Sequence, residues 1–229
     1  MGKNMKVRGR QKGYTRLILL SGGIDSTYLL AHALRETQDT VLVHHVHLKN
    51  IEGRDRAEAE ACEKIVAYCR ETYRDFKYTE STVDRRGFRA MGYDVITVAA
   101  EAGIAASNHY LETGKMPDFW MLGLNQEEAE ELRAPATVPP TSQPPKGAQN
   151  ASGDRLKYLL AVIAASCYPN DPPKYLRPVI KPKQELMTYM GKDLVDLCWT
   201  CRRPVHTDTG FAECGKCTTC LLMGKIRQA

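Results

Sequence analysis

Ser21-Gly22-Gly23-Ile24-Asp25-Ser26 stands directly after the apolar run Leu17–Leu20. A strand that turns through a glycine pair into a helix makes an anion cradle. Glycine permits positive φ and close backbone approach, and the helix N-terminus turns unpaired N–H groups toward a phosphate. Ser21 and Ser26 add hydroxyls, and Asp25 is placed to orient the loop or to help hold magnesium. At the other end, Cys201, Cys214, Cys217 and Cys220 offer four thiolates at spacings that one tetrahedral zinc ion accepts. Cys198 precedes them in Cys-x2-Cys form as a fifth candidate, and His206 is a further potential ligand. An iron–sulfur cluster is the chemical rival for the closely spaced Cys214, Cys217 and Cys220. Cys62, Cys69 and Cys167 read as ordinary buried thiols.

The elements that must position these residues alternate strand and helix. Short apolar runs at Leu17–Leu20, Thr40–Val46, Phe76–Thr82 and Phe119–Leu124 are separated by helical patterns over Ile24–Arg35, Arg54–Tyr73 and Tyr93–Leu111. That alternation predicts βαβ units and a parallel sheet. The second helix is expected to carry its charges outside, with Ala57, Ala61, Ile65 and Cys69 facing inward. Five of the twelve prolines fall between Ala134 and Gly153, which reads as a long loop, either a lid or a linker. Helices near Arg155–Ser166 and Gln184–Met190 follow. The expected organisation is a basic arm over 1–15, an ATP-binding α/β domain over 16–180 and a helical zinc-binding region over 181–229.

Composition narrows the class. Hydrophobic residues at 43% and charged residues at 26% fit an ordinary globular chain. No apolar stretch approaches the roughly 20 residues of a membrane span, and the first apolar run is too short for a signal peptide. A cytoplasmic location with reduced thiols is the expectation, so the clustered cysteines read as metal ligands. The net charge of +5 is uneven: Lys3, Lys6, Arg8, Arg10, Lys12 and Arg16 all precede Asp25. Such an arm is suited to weak contact with nucleic acid.

The hexapeptide resembles the PP-loop of ATP pyrophosphatases and lacks the terminal Gly-Lys-Ser/Thr of a Walker loop. The tail Trp199-Thr200-Cys201 with Glu213-Cys214-Gly215-Lys216-Cys217-Thr218-Thr219-Cys220 is similar to that of 7-cyano-7-deazaguanine synthases. So are Arg177-Pro178-Val179-Ile180 with Lys183, and Gly123-Leu124-Asn125 with Glu127 and Glu128. The resemblance implies a Rossmann-like fold of the adenine nucleotide alpha hydrolase type, with a small C-terminal zinc subdomain. It implies Cys201, Cys214, Cys217 and Cys220 as zinc ligands, Cys198 being spare. Implied nucleotide contacts are Leu19, Leu20, Ser21, Gly22, Gly23, Ile24, Asp25, Ser26, Thr27 and His44, with Asp25 and Ser26 catalytic.

The implied reaction takes 7-carboxy-7-deazaguanine, ammonia, ATP and Mg2+ to the nitrile through adenylated intermediates, with a homodimer as a possible assembly. The alternatives are a related enzyme that hands the activated acid to a macromolecular amine, and a tRNA-modifying PP-loop enzyme. The chain departs from the family at Met91-Gly92-Tyr93-Asp94 and in the proline-rich stretch, where base-binding segments belong. Arg89 is a candidate replacement for a missing arginine, and His44, His45 and His47 close the second strand beside the expected site.

Overall fold

A computed structural model describes residues 13–89, 94–123, 151–176 and 181–228. The basic arm through Lys12, Met91–Tyr93, Leu124, Asn125, Glu127, Glu128, most of the proline-rich stretch and Arg177–Ile180 lie outside the described residues. No helix among the described residues is long and apolar enough to cross a membrane.

Chain order runs β1 (Thr15–Leu19), α1 (Ile24–Glu36), β2 (Thr40–Lys49), α2 (Asp55–Thr72), β3 (Lys77–Asp84), α3 (Asp94–Thr113), β4 (Phe119–Leu122) and α4 (Ala151–Ser166). Then come β5 (Lys174–Tyr175), α5 (Lys183–Met190), α6 (Lys192–Val195), β6 (Val205–Thr207), β7 (Gly210–Ala212) and α7 (Thr218–Gln228). The five strands β1 to β5 form one parallel sheet in the order β3-β2-β1-β4-β5. This is the expected α/β, Rossmann-like architecture. β1 and β2 are apolar on both faces because helices cover both sides of a parallel sheet. Ile18, Leu20, Val41 and Val43 face α1 and α2, while Leu17, Leu19 and Leu42 face α3 and α4. β3 is an edge strand and correspondingly half exposed.

β1 begins two residues earlier than its apolar run, since Thr15 and Arg16 pair with Thr40 and Val41. Arg16 is held there by an ion pair with Asp39. Residues 151–153, read as part of the proline-rich loop, belong instead to α4. β5 and the β6–β7 hairpin are too short for an apolar period to register, and α7 begins inside the cysteine cluster, where the spacing reads as ligands rather than as a helix. The C-terminal region shares the core of the α/β body. Leu186, Met190, Leu194 and Met223 sit in the same buried cluster as α1 and α2.

Candidate functional site at the sheet switch point

β1 and β4 are the central neighbours at which the strand order reverses, and ligands of open α/β sheets bind beyond the strand C-termini at such a point. Residues 21–26 leave β1 there, and Gly123 leaves β4 beside them. Gly22 takes φ +76°, a left-handed conformation suited to glycine, and Gly23 caps α1 in an extended conformation without a side-chain bond. The first-turn amides of α1 therefore have no helical acceptors. The Ser26 hydroxyl accepts from the Ser21 amide at 3.1 Å and lies 3.0 Å from the Ser21 hydroxyl. These bonds fix the loop from within. A Cβ on Gly123 would stand 2.7 Å from the Ser26 amide nitrogen, so only glycine lets β4 approach the cradle this closely.

Lys183, at the first position of α5, is almost wholly buried with its Nζ 3.5 Å from an Asp25 carboxylate oxygen. Ser21, Gly23, Asp25, Ser26, Lys183, Thr200 and Thr219 line a polar pocket over the loop. It shares Ser21, Ser26, Gly123, Arg54, Glu58 and Arg202 with a more apolar pocket walled by Leu19, Leu20, Val46, Leu48, Val95, Val98 and Leu122. The two are halves of one cleft. One half suits phosphates, and the other suits a flat ring.

At the junction stands a charge cluster that sequence reasoning missed. Arg54 pairs with Glu52 at 2.8 Å, with Glu58 at 2.9 Å and with Asp94, while Arg202 reaches Glu52 at 3.2 Å and Asp94 at 3.3 Å. Glu58 is not on the solvent side of α2, as its helical pattern implied, but under the loop of residues 21–26. Its backbone oxygen would lie 3.0 Å from a Cβ on Gly22. Burial raises the Glu58 carboxyl, Arg54 pulls it back, and the neighbouring Asp94 and Glu52 add to the rise, leaving it at about 7. The cluster could not be seen in sequence because α2, α3 and the C-terminal region each supply a part.

The remaining expected contacts divide. Leu19, Leu20 and His44 line the ring half. His44 places Nδ1 2.9 Å from the Thr79 hydroxyl and Nε2 3.0 Å from that of Ser81, so both ring nitrogens are bonded to β3. Burial lowers its pKa to about 4, and that of His45 likewise. Ile24 borders the polar pocket while its side chain joins the buried core, and Thr27 is fully buried in the core face of α1. Arg89 is exposed after β3.

The second centre gathers Cys201, Cys214, Cys217 and Cys220, whose sulfurs all lie within 4.8 Å of one another, Cys214 and Cys220 at 3.9 Å. Backbone amides support them: Cys214 and Arg203 donate to the Cys201 sulfur at 3.2 and 3.4 Å, Cys217 and Lys216 to that of Cys214 at 3.3 and 3.4 Å. These amides draw the Cys214 thiol down to about 6, while burial holds Cys201 and Cys220 up. A cation bound there would ionise such a mixed set together. Spacings this short fit one ion; a four-iron cluster interposes a cube of iron and sulfide and needs the thiolates farther apart. Cys198 stands outside the group, its thiol directed at the Leu194 carbonyl, and His206 stacks edge-on against Phe211.

The two centres touch. The Trp199 amide, two residues before Cys201, donates to the Gly22 carbonyl at 2.8 Å.

No protein-family model matches the chain, and no curated protein matches it. Among solved structures it is similar to the U34-tRNA thiolase NcsA from Methanococcus maripaludis with its [4Fe-4S] cluster. The identity is 16% and the TM-score 0.47, over 82% of this chain and 59% of that one. The chain thus spans less than two thirds of that protein's length.

Proposed function

We propose that this chain is an ATP pyrophosphatase of the PP-loop type that activates a carboxylate as its adenylate and passes the acyl group to nitrogen. The observation that carries the reading is the cradle itself: a glycine turn and open helix N-terminus at the switch point, with the buried Lys183 beside Asp25. A carboxylate oxygen leaves poorly and AMP leaves well, so the chemistry needs groups that neutralise departing pyrophosphate. The loop amides, Ser21, Ser26 and Lys183 supply them. A magnesium ion would be held by Asp25 and the phosphates and supplies further charge neutralisation. We assign the four-thiol site to zinc: four thiolates close its sphere and leave no place for water, so its role is structural.

In its finer form the substrate is 7-carboxy-7-deazaguanine, with ammonia as nucleophile and the nitrile as product. The more apolar half of the cleft and the motif resemblance support the choice. Four other thiols argue against sulfur transfer, because burial raises Cys62, Cys69, Cys167 and Cys198 away from the thiolate form. A second reading keeps the activation and changes the acceptor to a macromolecular amine or a tRNA. It is favoured by Ile51 and Phe88, exposed at 60% and 67% beyond the C-termini of β2 and β3, a rim suited to a large partner.

The test is incubation with ATP, 7-carboxy-7-deazaguanine and ammonium, with nucleotide analysis and product mass. AMP, pyrophosphate and the nitrile are expected, and Asp25→Ala and Lys183→Met should each reduce turnover by about 100-fold or more. ADP as the nucleotide product would sink the activation reading. AMP with the acyl group recovered on added tRNA or protein would select the second acceptor.

A further inference from the structure

We propose that Glu58 is the general base that takes the proton from the nitrogen nucleophile, a role that rests on the activation reading above. Geometry carries the assignment. Glu58 lines both halves of the cleft, so it faces the junction where a ring-bound acyl group meets the phosphate cradle. One of its oxygens is held by Arg54 at 2.9 Å, and that ion pair leaves the carboxylate on the wall of the cleft. The side chain is 12% exposed, enough to meet a ligand while being shielded from bulk water. The other carboxylates at the junction are differently engaged. Asp25 is beside Lys183, and Glu52 and Asp94 are each shared between Arg54 and Arg202.

The charged groups facing Glu58 are Arg54 at the N-cap of α2, Glu52 before it, Asp94 on α3 and Arg202 from the C-terminal region, with Asp25 and Lys183 across the cleft. Buried among them, its carboxyl is held at about 7, where a base works best at neutral pH. The step balances as follows. The ammonia lone pair forms a C–N bond to the acyl carbon, the bond from that carbon to the phosphate oxygen breaks, and AMP leaves with the electron pair. The Glu58 carboxylate frees that lone pair by taking one proton from ammonium, and the second proton shed by the new C–N nitrogen passes to water, giving a neutral amide and a carboxylic acid on Glu58. No oxidant or reductant is needed.

Glu58→Gln keeps the side chain's size and its contact with Arg54, and Glu52→Gln serves as the control that disturbs the same arginine without lining the cleft. Both are assayed with 7-carboxy-7-deazaguanine and ATP, once with ammonium and once with hydroxylamine, a nucleophile already largely neutral at pH 7. Glu58→Gln should lose about 100-fold or more of ammonium-dependent product. It should keep ATP–pyrophosphate exchange, the KM for ATP and hydroxamate formation. The acidic limb of the wild-type rate profile near pH 7 should vanish in the variant, and a carboxyl 13C NMR titration should place Glu58 on that limb.

Wild-type ammonium-dependent turnover in Glu58→Gln, with the limb retained, would overturn the role. So would equal loss of pyrophosphate exchange in both variants, which would make Glu58 a structural partner of Arg54. Wild-type protein that releases no pyrophosphate with any carboxylate would instead bring down the activation reading on which the role stands.

Discussion

Gly123→Ala and Gly103→Ala are a matched pair of one-methyl insertions that separate the phosphate cradle from the rest of the fold. At Gly123 the new Cβ would stand 2.7 Å from the Ser26 amide nitrogen and 3.0 Å from the Asp25 carbonyl carbon. At Gly103, in α3, it would stand 2.6 Å from the Ser166 Cβ and 2.8 Å from the Ile163 oxygen on α4. Against an ordinary contact of at least 3.4 Å, the overlaps are 0.7 Å (3.4 less 2.7) and 0.8 Å (3.4 less 2.6). Both sites meet backbone, so neither overlap is relieved by a rotamer change. Overpacking of this kind costs about 1–3 kcal/mol. For a chain this long, that is a Tm lower by roughly 2–12 °C in either variant.

The functional outcomes should differ. Relief at Gly123 must move the first turn of α1 or the end of β4, and displacement of reacting groups by an ångström costs about 100-fold in rate. Relief at Gly103 moves α3 against α4 at a point where neither Gly103 nor its neighbours Ile163 and Ser166 line the cleft. The assay is thermal denaturation alongside ATP binding by calorimetry and pyrophosphate release. Gly123→Ala should lose nucleotide binding and turnover while Gly103→Ala keeps both after its stability loss. Wild-type ATP affinity in Gly123→Ala, or equal functional loss in both, would refute the placement of the cradle against β4.

Metal analysis should find one zinc ion per chain; Cys217→Ser should lose it and Cys198→Ser should retain it, whereas zinc lost on changing Cys198 alone would dismantle the ligand set. Structural zinc sites supply about 10 kcal/mol or more, so Cys217→Ser should also expose the protein to proteolysis. Stability should fall with acid. His44 and His45, held near 4 against an ordinary 6.5, refuse protons that the unfolded chain accepts, so each removes about 3 kcal/mol as pH drops from 6.5 to 4, with no further loss below that. Urea unfolding at pH 7.5 and 4.5 measures this, and a His45→Gln variant with the wild-type pH dependence would show that the histidine is not responsible.

Much of the fold could be read from the sequence because its signals are local. Leu17–Leu20 followed by two glycines and a helical pattern specifies strand, turn and helix within about twenty residues, and the four cysteines declare a common centre through spacing. The elements that went unread are those with no period of their own. Lys174–Tyr175 is a strand only because Phe119 and Trp120 pair with it. Glu58 shows why part of the site stayed hidden. On the helix pattern it neighbours Ala57 and Ala61 at the margin of the inward face, and solvation is the ordinary fate of a glutamate there. What buries it is Asp94 and Arg202, which arrive 36 and 144 positions later in the chain (94 less 58, and 202 less 58).

The long separations explain what the four-thiol segment contributes to the cleft. Arg202 follows Cys201 directly and closes the charge cluster over Glu52 and Asp94, while Trp199, two residues before Cys201, bonds the carbonyl of Gly22. Thr200, between them, donates to Glu213 at 2.9 Å, next to the ligand Cys214. A left-handed glycine with its carbonyl fixed is a loop held in one conformation, so its amides face the ligand before the ligand arrives. The four-thiol centre thus anchors a short segment that reaches the phosphate loop on one side and the charged junction on the other. On the zinc assignment proposed above, a closed coordination sphere would suit such anchoring, because it would take no part in the chemistry and would hold the last fifth of the chain against residues that lie near the beginning.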